Sequence, residues 1–218
     1  MEATMRYLSL WAASASVTAV VVGMNPVLAR SGARAAARAV QSEAMTAAAD
    51  VQDAEGKSLG TAELTETPHG VLLTVKLSGL PAGQHALHLH EVGQCAAPDF
   101  KSAGGHYNPG SASHGYKNPK GAHEGDLPNV HVGADGALNA DAFAEGVTLN
   151  AGATSLFDED GTAVVVHAGP DDYATDPAGD AGDRIACGVV EKKEGARGQG
   201  PGPRAASGNR GQFLRDQG

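Results

Sequence analysis

The chain has few aromatic side chains. Phe, Trp and Tyr together make up 4% of its 218 residues, and Trp11 is the single tryptophan. A hydrophobic core must therefore be built from Val, Leu, Ala and Ile. Glycine is abundant, with 30 residues, and indicates frequent turns. Together these features favour an all-β domain over a helical bundle.

Positive charge is scarce in the middle of the chain. Residues 50–190 hold 20 Asp and Glu against 6 Lys and Arg, and the whole chain has a net charge of −9. Phosphate binding needs a basic surface, so this excess of acid argues against nucleic acid as a partner. It also poses a difficulty for any enzyme whose substrate is an anion.

Long apolar runs are confined to the N-terminus. Arg6 precedes an apolar stretch over residues 7–22, and Val27-Leu28-Ala29 supplies the small-residue pattern of a cleavage site. This predicts a signal peptide over residues 1–29 and export to the periplasm, with no membrane partner for the mature form. Secretion and a membrane anchor formed by an uncleaved signal are the alternatives, the anchor being weakened by the Ser and Thr residues in the stretch.

Composition divides the rest of the chain into three parts. Residues 30–49 are rich in Ala and Arg without apolar periodicity and are interpreted as a linker. Residues 191–218 have the Gly-, Pro- and Arg-rich composition of a disordered tail. The folded domain is expected between them, over residues 50–190.

Alternating apolar residues predict several strands within this domain. They fall at residues 58–66, 71–80, 84–91, 164–166 and 185–190, with Pro68-His69-Gly70 as the turn of a hairpin. Residues 92–129 show no strand pattern, and a loop of that length is rare unless a bound group such as a metal ion orders it. A second loop, residues 168–183, holds five aspartates and no Lys or Arg.

Histidines on one predicted strand form the first candidate metal site. His88 and His90 lie two residues apart, which places both imidazoles on the same face of the strand. Two neutral imidazoles suit copper, zinc, nickel or iron. Alone this is a weak motif, because a half-exposed strand can carry histidines for other reasons. His167, at the end of the strand over residues 164–166, is by itself equally consistent with a polar strand end.

The long loop adds a second candidate set. His106, His114, His123 and Asp126 provide three imidazoles and one carboxylate, a complete tetrahedral set for zinc with no position left for water. Such a closed set is structural in character and would order a glycine-rich loop. A solvated polar loop is the alternative.

Cysteine is nearly absent. Cys95 and Cys187 are the only two, and in an exported chain this implies one disulfide, which would close a loop of about 93 residues. The alternative is a pair of free thiols.

In order and spacing, these segments resemble the copper/zinc superoxide dismutase family. The resemblance runs over residues 50–190 and is carried by the segments GQHALHLHEVGQC, GGHYNP, HG, HEGD, VVVHAGPDD and GDRIACGVV. It implies an all-β, immunoglobulin-like Greek-key β-sandwich or barrel with a long metal-binding loop and a second loop over the active site. The short interval between His90 and Cys95 is similar to the bacterial branch.

The resemblance also implies a ligand set. Copper would be bound by His88, His90, His106 and His167, and zinc by His106, His114, His123 and Asp126, so that His106 bridges the two metals. Asp171 matches the carboxylate that joins a copper histidine to a zinc histidine, and Arg184 matches the arginine beside the copper channel. The other histidines, His69, His85 and His131, are interpreted as surface or packing residues.

The implied reaction is the dismutation of superoxide to O₂ and H₂O₂ in two half-reactions at copper, with His106 delivering a proton and Arg184 attracting the anion. Because residues 168–183 lack basic side chains, Lys117 or Lys120 is expected to steer superoxide, Lys101 being the other basic candidate. A metal-binding domain without turnover and a zinc-only structural domain are the competing functions. The sequence leaves open whether the mature chain is a monomer or a homodimer.

Overall fold

The computed structural model describes residues 44–193, so the predicted signal peptide and most of the predicted linker and tail lie outside it. The described part contains nine strands and one short 3₁₀ turn, Lys101–Ala103. The strands are β1 Thr46–Gln52, β2 Ser58–Thr67, β3 Gly70–Ser78, β4 Gly83–His85, β5 Leu87–His90, β6 Val130–Val132, β7 Ala137–Glu145, β8 Ala163–His167 and β9 Arg184–Lys192.

All strand pairs are antiparallel. The main sheet has the order β5-β8-β9-β1-β2-β3-β7, and β4 pairs with β6 in a second, two-stranded sheet. β6 also packs against β7, so the two-stranded sheet extends the curved main sheet. The all-β Greek-key class predicted from the sequence is confirmed.

The core lies between these curved sheets and is built from aliphatic side chains, as the shortage of aromatics requires. On β3 every second residue is buried, from Val71 to Leu77, which is the period of a strand with one face against the core. All five residues of β8 are buried, and so are all four of β5. The two strands that carry His88, His90 and His167 therefore belong to the interior of the domain.

The observed strands differ from the sequence prediction at four places. β1 begins at Thr46, inside the stretch interpreted as a linker, because Ala47 and Ala49 alternate into the core and are fully buried. β6 and β7 lie outside all of the predicted strands. The single strand expected over residues 84–91 is divided at Ala86, whose N–H donates to the carbonyl of Gly169.

The predicted disulfide between Cys95 and Cys187 is present, with 5.7 Å between the Cα atoms. It joins the long loop to β9 across a sequence separation of 92 residues. The alternative of two free thiols is wrong.

The long loop contains no strand from residue 92 to residue 129, as expected. It is attached to the sheet by two isolated bridges, between His88 and Asp126 and between His90 and His106. Each bridge joins two candidate ligands. Within residues 44–193, no helix has both the length and the apolar character needed to cross a membrane.

Candidate metal centre

The fold brings the predicted ligands together in two overlapping groups. One consists of His88, His90, His106 and His167, and the other of His106, His114, His123 and Asp126. Within each group the ligand atoms all lie within 4.8 Å of one another. These are the two sets expected from the sequence.

The first group presents nitrogen atoms that lack a hydrogen-bond partner within residues 44–193. Nδ1 of His88 and Nε2 of His106 are buried and make no hydrogen bond, and Nε2 of His90 lies 3.4 Å from Nε2 of His167. A buried polar atom without a partner is costly. Coordination of a metal ion would satisfy these atoms, and a set of imidazoles alone suits copper.

Hydrogen bonds fix which nitrogen each histidine offers. Nε2 of His88 donates to Oδ2 of Asp171 at 3.0 Å, which leaves the lone pair on Nδ1. Nδ1 of His90 faces the carbonyl of Gly104 at 3.1 Å, and Nδ1 of His167 faces that of Gly182 at 3.3 Å. A ring nitrogen facing a carbonyl must be the donor, so in these two residues Nε2 carries the lone pair.

The second group converges on one carboxylate oxygen. Oδ1 of Asp126 lies 2.8 Å from Nδ1 of His106, 3.0 Å from Nδ1 of His114 and 3.2 Å from Nδ1 of His123. Tetrahedral zinc, with metal–nitrogen bonds of about 2.0–2.1 Å, would separate its ligand atoms by roughly 3.3 Å. These spacings fit a zinc ion. Oδ2 of Asp126 accepts the backbone N–H groups of Gly115 and His123, which fixes the orientation of the carboxylate.

His106 is the residue shared by the two groups. Its Nδ1 points into the second group and its buried Nε2 into the first, where it has no other partner. Neither nitrogen forms a hydrogen bond to a backbone carbonyl, unlike Nδ1 of His90 and Nδ1 of His167. The arrangement suits an imidazole that serves two metal ions.

Asp171 is a second link between the two groups, in addition to the shared His106. Its Oδ2 accepts from His88 and its Oδ1 accepts from Nε2 of His114, both at 3.0 Å. Gly179 packs on this carboxylate, since a Cβ at that position would lie 1.8 Å from Oδ1 of Asp171. The second loop therefore covers the carboxylate that orients one histidine of each group.

Burial keeps three histidines of the first group, His90, His106 and His167, neutral and ready to bind metal. It lowers the pKa of His106 to about 4 and the pKa of His167 to about 3, because the charged imidazolium is poorly solvated there. Burial, together with the nearby His106 and Arg184, also holds the pKa of His90 well below its usual range.

The carboxylates act in the opposite direction on His114. Burial would lower the pKa of His114, but its hydrogen bonds with Asp126 and Asp171 outweigh burial and raise it to about 9. Burial would likewise raise the pKa of Asp171, yet the hydrogen bonds from His88 and His114 lower it to about 2. The hydrogen bonds to His106 and His114 also hold the pKa of Asp126 below its usual range. Asp126 and Asp171 therefore both stay ionised at neutral pH.

A cavity of about 430 Å³ opens onto the centre. Arg184 lines it beside His106 and His167, and it is the only Lys or Arg among the lining residues. The β8–β9 pairing places Arg184 opposite His167, at a bulge between Val166 and His167. Its Nη1 and Nη2 donate to the carbonyls of Phe100 and Gly104 at 2.7 and 2.6 Å, so the guanidinium is held at the cavity wall.

None of the three lysines considered for steering lines this cavity. Lys117 and Lys120 are exposed in the long loop. The ammonium group of Lys101 forms an exposed salt bridge with Asp99 at 2.8 Å. The structure thus leaves the steering role of Lys117 or Lys120 a prediction.

The three remaining histidines stay outside both groups. His69 and His131 are exposed. His85 is buried, and its two ring nitrogens each lie 2.8 Å from a backbone carbonyl, those of His167 and Pro81. It is a packing residue that supports the backbone of His167.

Two residues beside the centre were not singled out from the sequence. Asn129 hydrogen-bonds the backbone of Asp171, and Gly179 leaves room for the Asp171 carboxylate. Neither residue is a candidate metal ligand or carries a charge, and a single Asn or Gly in a polar loop gives no distinct sequence signal.

The chain was compared with known proteins. The family model "Copper/zinc superoxide dismutase (SODC)" matches residues 58–190. A relative from Aquifex aeolicus, "Superoxide dismutase [Cu-Zn] 1", is 50% identical over 145 residues, which cover 66% of this chain and 86% of the relative.

Two solved structures are similar over nearly their whole length. A SOD-like protein from Bacillus subtilis has a TM-score of 0.64 and 38% identity, covering 66% of this chain and 97% of that one. The Cu/Zn superoxide dismutase from Brucella abortus has a TM-score of 0.55 and 31% identity, covering 67% and 99%. The matched region contains both ligand groups and Arg184, and the chain belongs to the copper/zinc superoxide dismutase family.

Proposed function

We propose that His88, His90, His106 and His167 hold copper, and that His106, His114, His123 and Asp126 hold zinc. The observation that carries this assignment is the position of His106 between two convergent ligand groups. The unpartnered Nδ1 of His88 and Nε2 of His106 support copper in the first group, and the spacing of three histidine nitrogens around Oδ1 of Asp126 supports zinc in the second.

Membership of the family makes the chain an enzyme that converts superoxide to O₂ and H₂O₂, with copper and zinc as cofactors. Bound copper supplies the one-electron redox change that this reaction needs, which zinc, a d¹⁰ ion, does not supply.

The chain's own side chains bind the substrate and supply a proton. Arg184 attracts superoxide into the cavity and orients it through charge-assisted hydrogen bonds, its guanidinium being held by the carbonyls of Phe100 and Gly104. When Nε2 of His106 does not hold copper, it would take up a proton from water and pass it to the reduced substrate. Asp171 keeps His88 and His114 in the tautomers that offer Nδ1 to the metals.

The competing functions account for fewer of these residues. A zinc-only domain would leave His88, His90 and His167 converging in the interior without a purpose. A metal-binding domain without turnover would have no use for a half-buried arginine at the cavity wall.

We further propose that the enzyme acts in the periplasm. Residues 1–29 would direct export, and the disulfide suits an oxidising compartment. The acidic character of residues 50–190 supports a mature form that binds neither nucleic acid nor a membrane. In that compartment the reaction would protect the cell envelope from superoxide.

The test is reconstitution of the mature chain with copper and zinc, followed by a superoxide-consumption assay with and without a copper chelator. We expect activity that the chelator removes. His88→Ala should abolish activity and leave the fold intact, whereas Asp126→Ala should also lower the thermal unfolding midpoint. His131→Ala, at an exposed histidine outside both groups, is the matched control. Full activity of His88→Ala would overturn the ligand assignment.

A further inference from the structure

Asn129 lies three residues after the zinc-group carboxylate Asp126, at the end of the long loop and directly before β6. It is half-buried and belongs to neither ligand group. Its side chain reaches across to the second loop, where it meets the backbone of Asp171.

The contact is made by both ends of the amide. Nδ2 of Asn129 donates to the carbonyl oxygen of Asp171 at 2.8 Å, and the backbone N–H of Asp171 donates to Oδ1 of Asn129 at 2.8 Å. Two hydrogen bonds from one amide group fix the orientation of the Asp171 backbone as well as its distance. The backbone N–H of Asn129 adds a third contact, to the hydroxyl oxygen of Tyr173 at 2.8 Å.

The Asp171 side chain depends on this backbone position. Its carboxylate must meet Nε2 of His88 and Nε2 of His114 at the same time, each at 3.0 Å. Since both contacts lie near the ideal hydrogen-bond length, a rotation or shift of the Asp171 backbone would lengthen at least one of them.

We infer that Asn129 is a positioning residue for the metal centre. By forming two hydrogen bonds with the Asp171 backbone, it fixes the position of the carboxylate that orients one histidine of each ligand group. The inference rests on the ligand assignment proposed above. It predicts that loss of the Asn129 amide weakens zinc binding through Asp171, although Asn129 forms a hydrogen bond with neither His88 nor His114.

The experiment measures the zinc dissociation constant of the mature chain by competition with a chromogenic chelator. We expect Asn129→Ala to weaken zinc binding on the order of tenfold, the size typical of residues that orient metal ligands. Asp171→Asn should weaken it by a similar factor. In the double variant Asn129→Ala, Asp171→Asn the affinity should equal that of Asp171→Asn alone, because the first residue acts through the second.

A second readout separates positioning from a general contribution to folding. In the copper- and zinc-loaded proteins, Asn129→Ala and Asp171→Asn should change the Cu(II) electron paramagnetic resonance spectrum in the same direction. Asn139→Ala, at an exposed asparagine on β7, is the matched control and should change neither the affinity nor the spectrum.

A further variant covers the case in which Asn129→Ala does not fold. Asn129→Asp keeps the shape and the acceptor for the Asp171 N–H but turns a carboxylate oxygen towards the Asp171 carbonyl, and should weaken zinc binding as well. Unchanged zinc affinity in the folded variants, or the same further loss in the Asp171→Asn background, would overturn the inference. Asp126→Ala distinguishes the two hypotheses, because zinc binding by that variant at the wild-type level would overturn the ligand assignment itself.

Discussion

The ammonium group of Lys117 donates a hydrogen bond to the carbonyl oxygen of Asp172, with 3.0 Å between nitrogen and oxygen. The same group lies 5.3 Å from the ring centre of Tyr173. A cation from the long loop is therefore held against the second loop, which has no Lys or Arg of its own before Arg184.

This contact gives the steering hypothesis a specific form. The double variant Lys117→Ala, Lys120→Ala should lower the second-order rate constant for superoxide by up to about tenfold at low ionic strength and flatten its salt dependence. The reason is the loss of positive potential beside an otherwise acidic loop. Stopped-flow kinetics at several salt concentrations measure both quantities. Lys76→Ala, on the exposed face of β3, is the control, and a wild-type salt dependence in the double variant would contradict the hypothesis.

Among the described residues that line the cavity, Arg184 is the only Lys or Arg, and its loss should lower the rate constant more than the loss of any exposed lysine. Arg184→Ala should lower the rate constant by at least about tenfold while copper and zinc contents stay at the wild-type level. Arg184→Lys should retain part of the rate, because it keeps the charge but loses the planar guanidinium held by two carbonyls. Equal rates for the wild type and Arg184→Ala would remove the proposed role.

Gly179 tests how tightly the second loop covers Asp171. A Cβ there would lie 1.8 Å from Oδ1 of Asp171, and the residue has a φ of +66°, so Gly179→Ala meets both a clash and backbone strain. We expect lower zinc affinity and lower thermal stability. Gly146→Ala is the matched control, since it has a φ of +76° but no atom nearer than 4.0 Å. If the two variants lose zinc affinity equally, backbone strain rather than the contact with Asp171 is responsible.

The disulfide is expected to be a major source of stability. Replacing Cys95 and Cys187 together by Ser should lower the free energy of unfolding by roughly 4–5 kcal/mol in the chain-entropy model, because the bond closes a loop of this length. Urea unfolding of the metal-free proteins gives the difference directly. A loss under about 1 kcal/mol would mean that the other contacts of the long loop are enough to hold it.

Acid should destabilise the metal-free protein. The pKa values of His106 and His167 are lowered by burial to about 4 and about 3, whereas the unfolded chain takes up these protons near pH 6.5. Their contribution to stability is therefore complete above pH 6.5 and is lost as the pH falls towards 3. The raised pKa of His114 works the other way, with a contribution that is complete below pH 6.5 and lost as the pH rises through about 9.

Calorimetry of the metal-free protein at pH 7 and pH 4 should show a lower unfolding midpoint at pH 4. In His167→Gln the difference between the two midpoints should be smaller, because one group with a lowered pKa has been removed. A difference as large as in the wild type would show that His167 does not contribute to the acid sensitivity.

The set ending at Asp126 could be predicted from the residues because coordination chemistry restricts which side chains can serve as zinc ligands. His88, His90 and His167 form a weak pattern by themselves, and the resemblance to the family was needed to group them. Strands β2 and β3 were predictable from alternating Val and Leu. β1 and β7 were not, because their buried positions include Ala47, Ala49, Ala142 and Ala144, and alanine is a small residue with little intrinsic preference for strands.

The support around the ligands was not predictable for a different reason. Asn129 acts through the backbone of a residue 42 positions away, and Gly179 leaves space for the Asp171 carboxylate because it has no side chain. Such roles depend on how two loops pack together, and a pattern within one stretch of sequence does not contain that information. His85 shows the same limit, since its sequence neighbours do not reveal the contact between its ring and the carbonyl of His167.

His106 belongs to both ligand groups, and under the proposed ligand assignment this would make the two metal sites one thermodynamic unit. A zinc ion held at Nδ1 would fix the imidazole ring for copper at Nε2, and copper would do the same for zinc. Linkage requires that each metal change the affinity of the other by the same factor. The order in which the metals enter therefore affects the route of assembly, while the stability of the completed centre is independent of it.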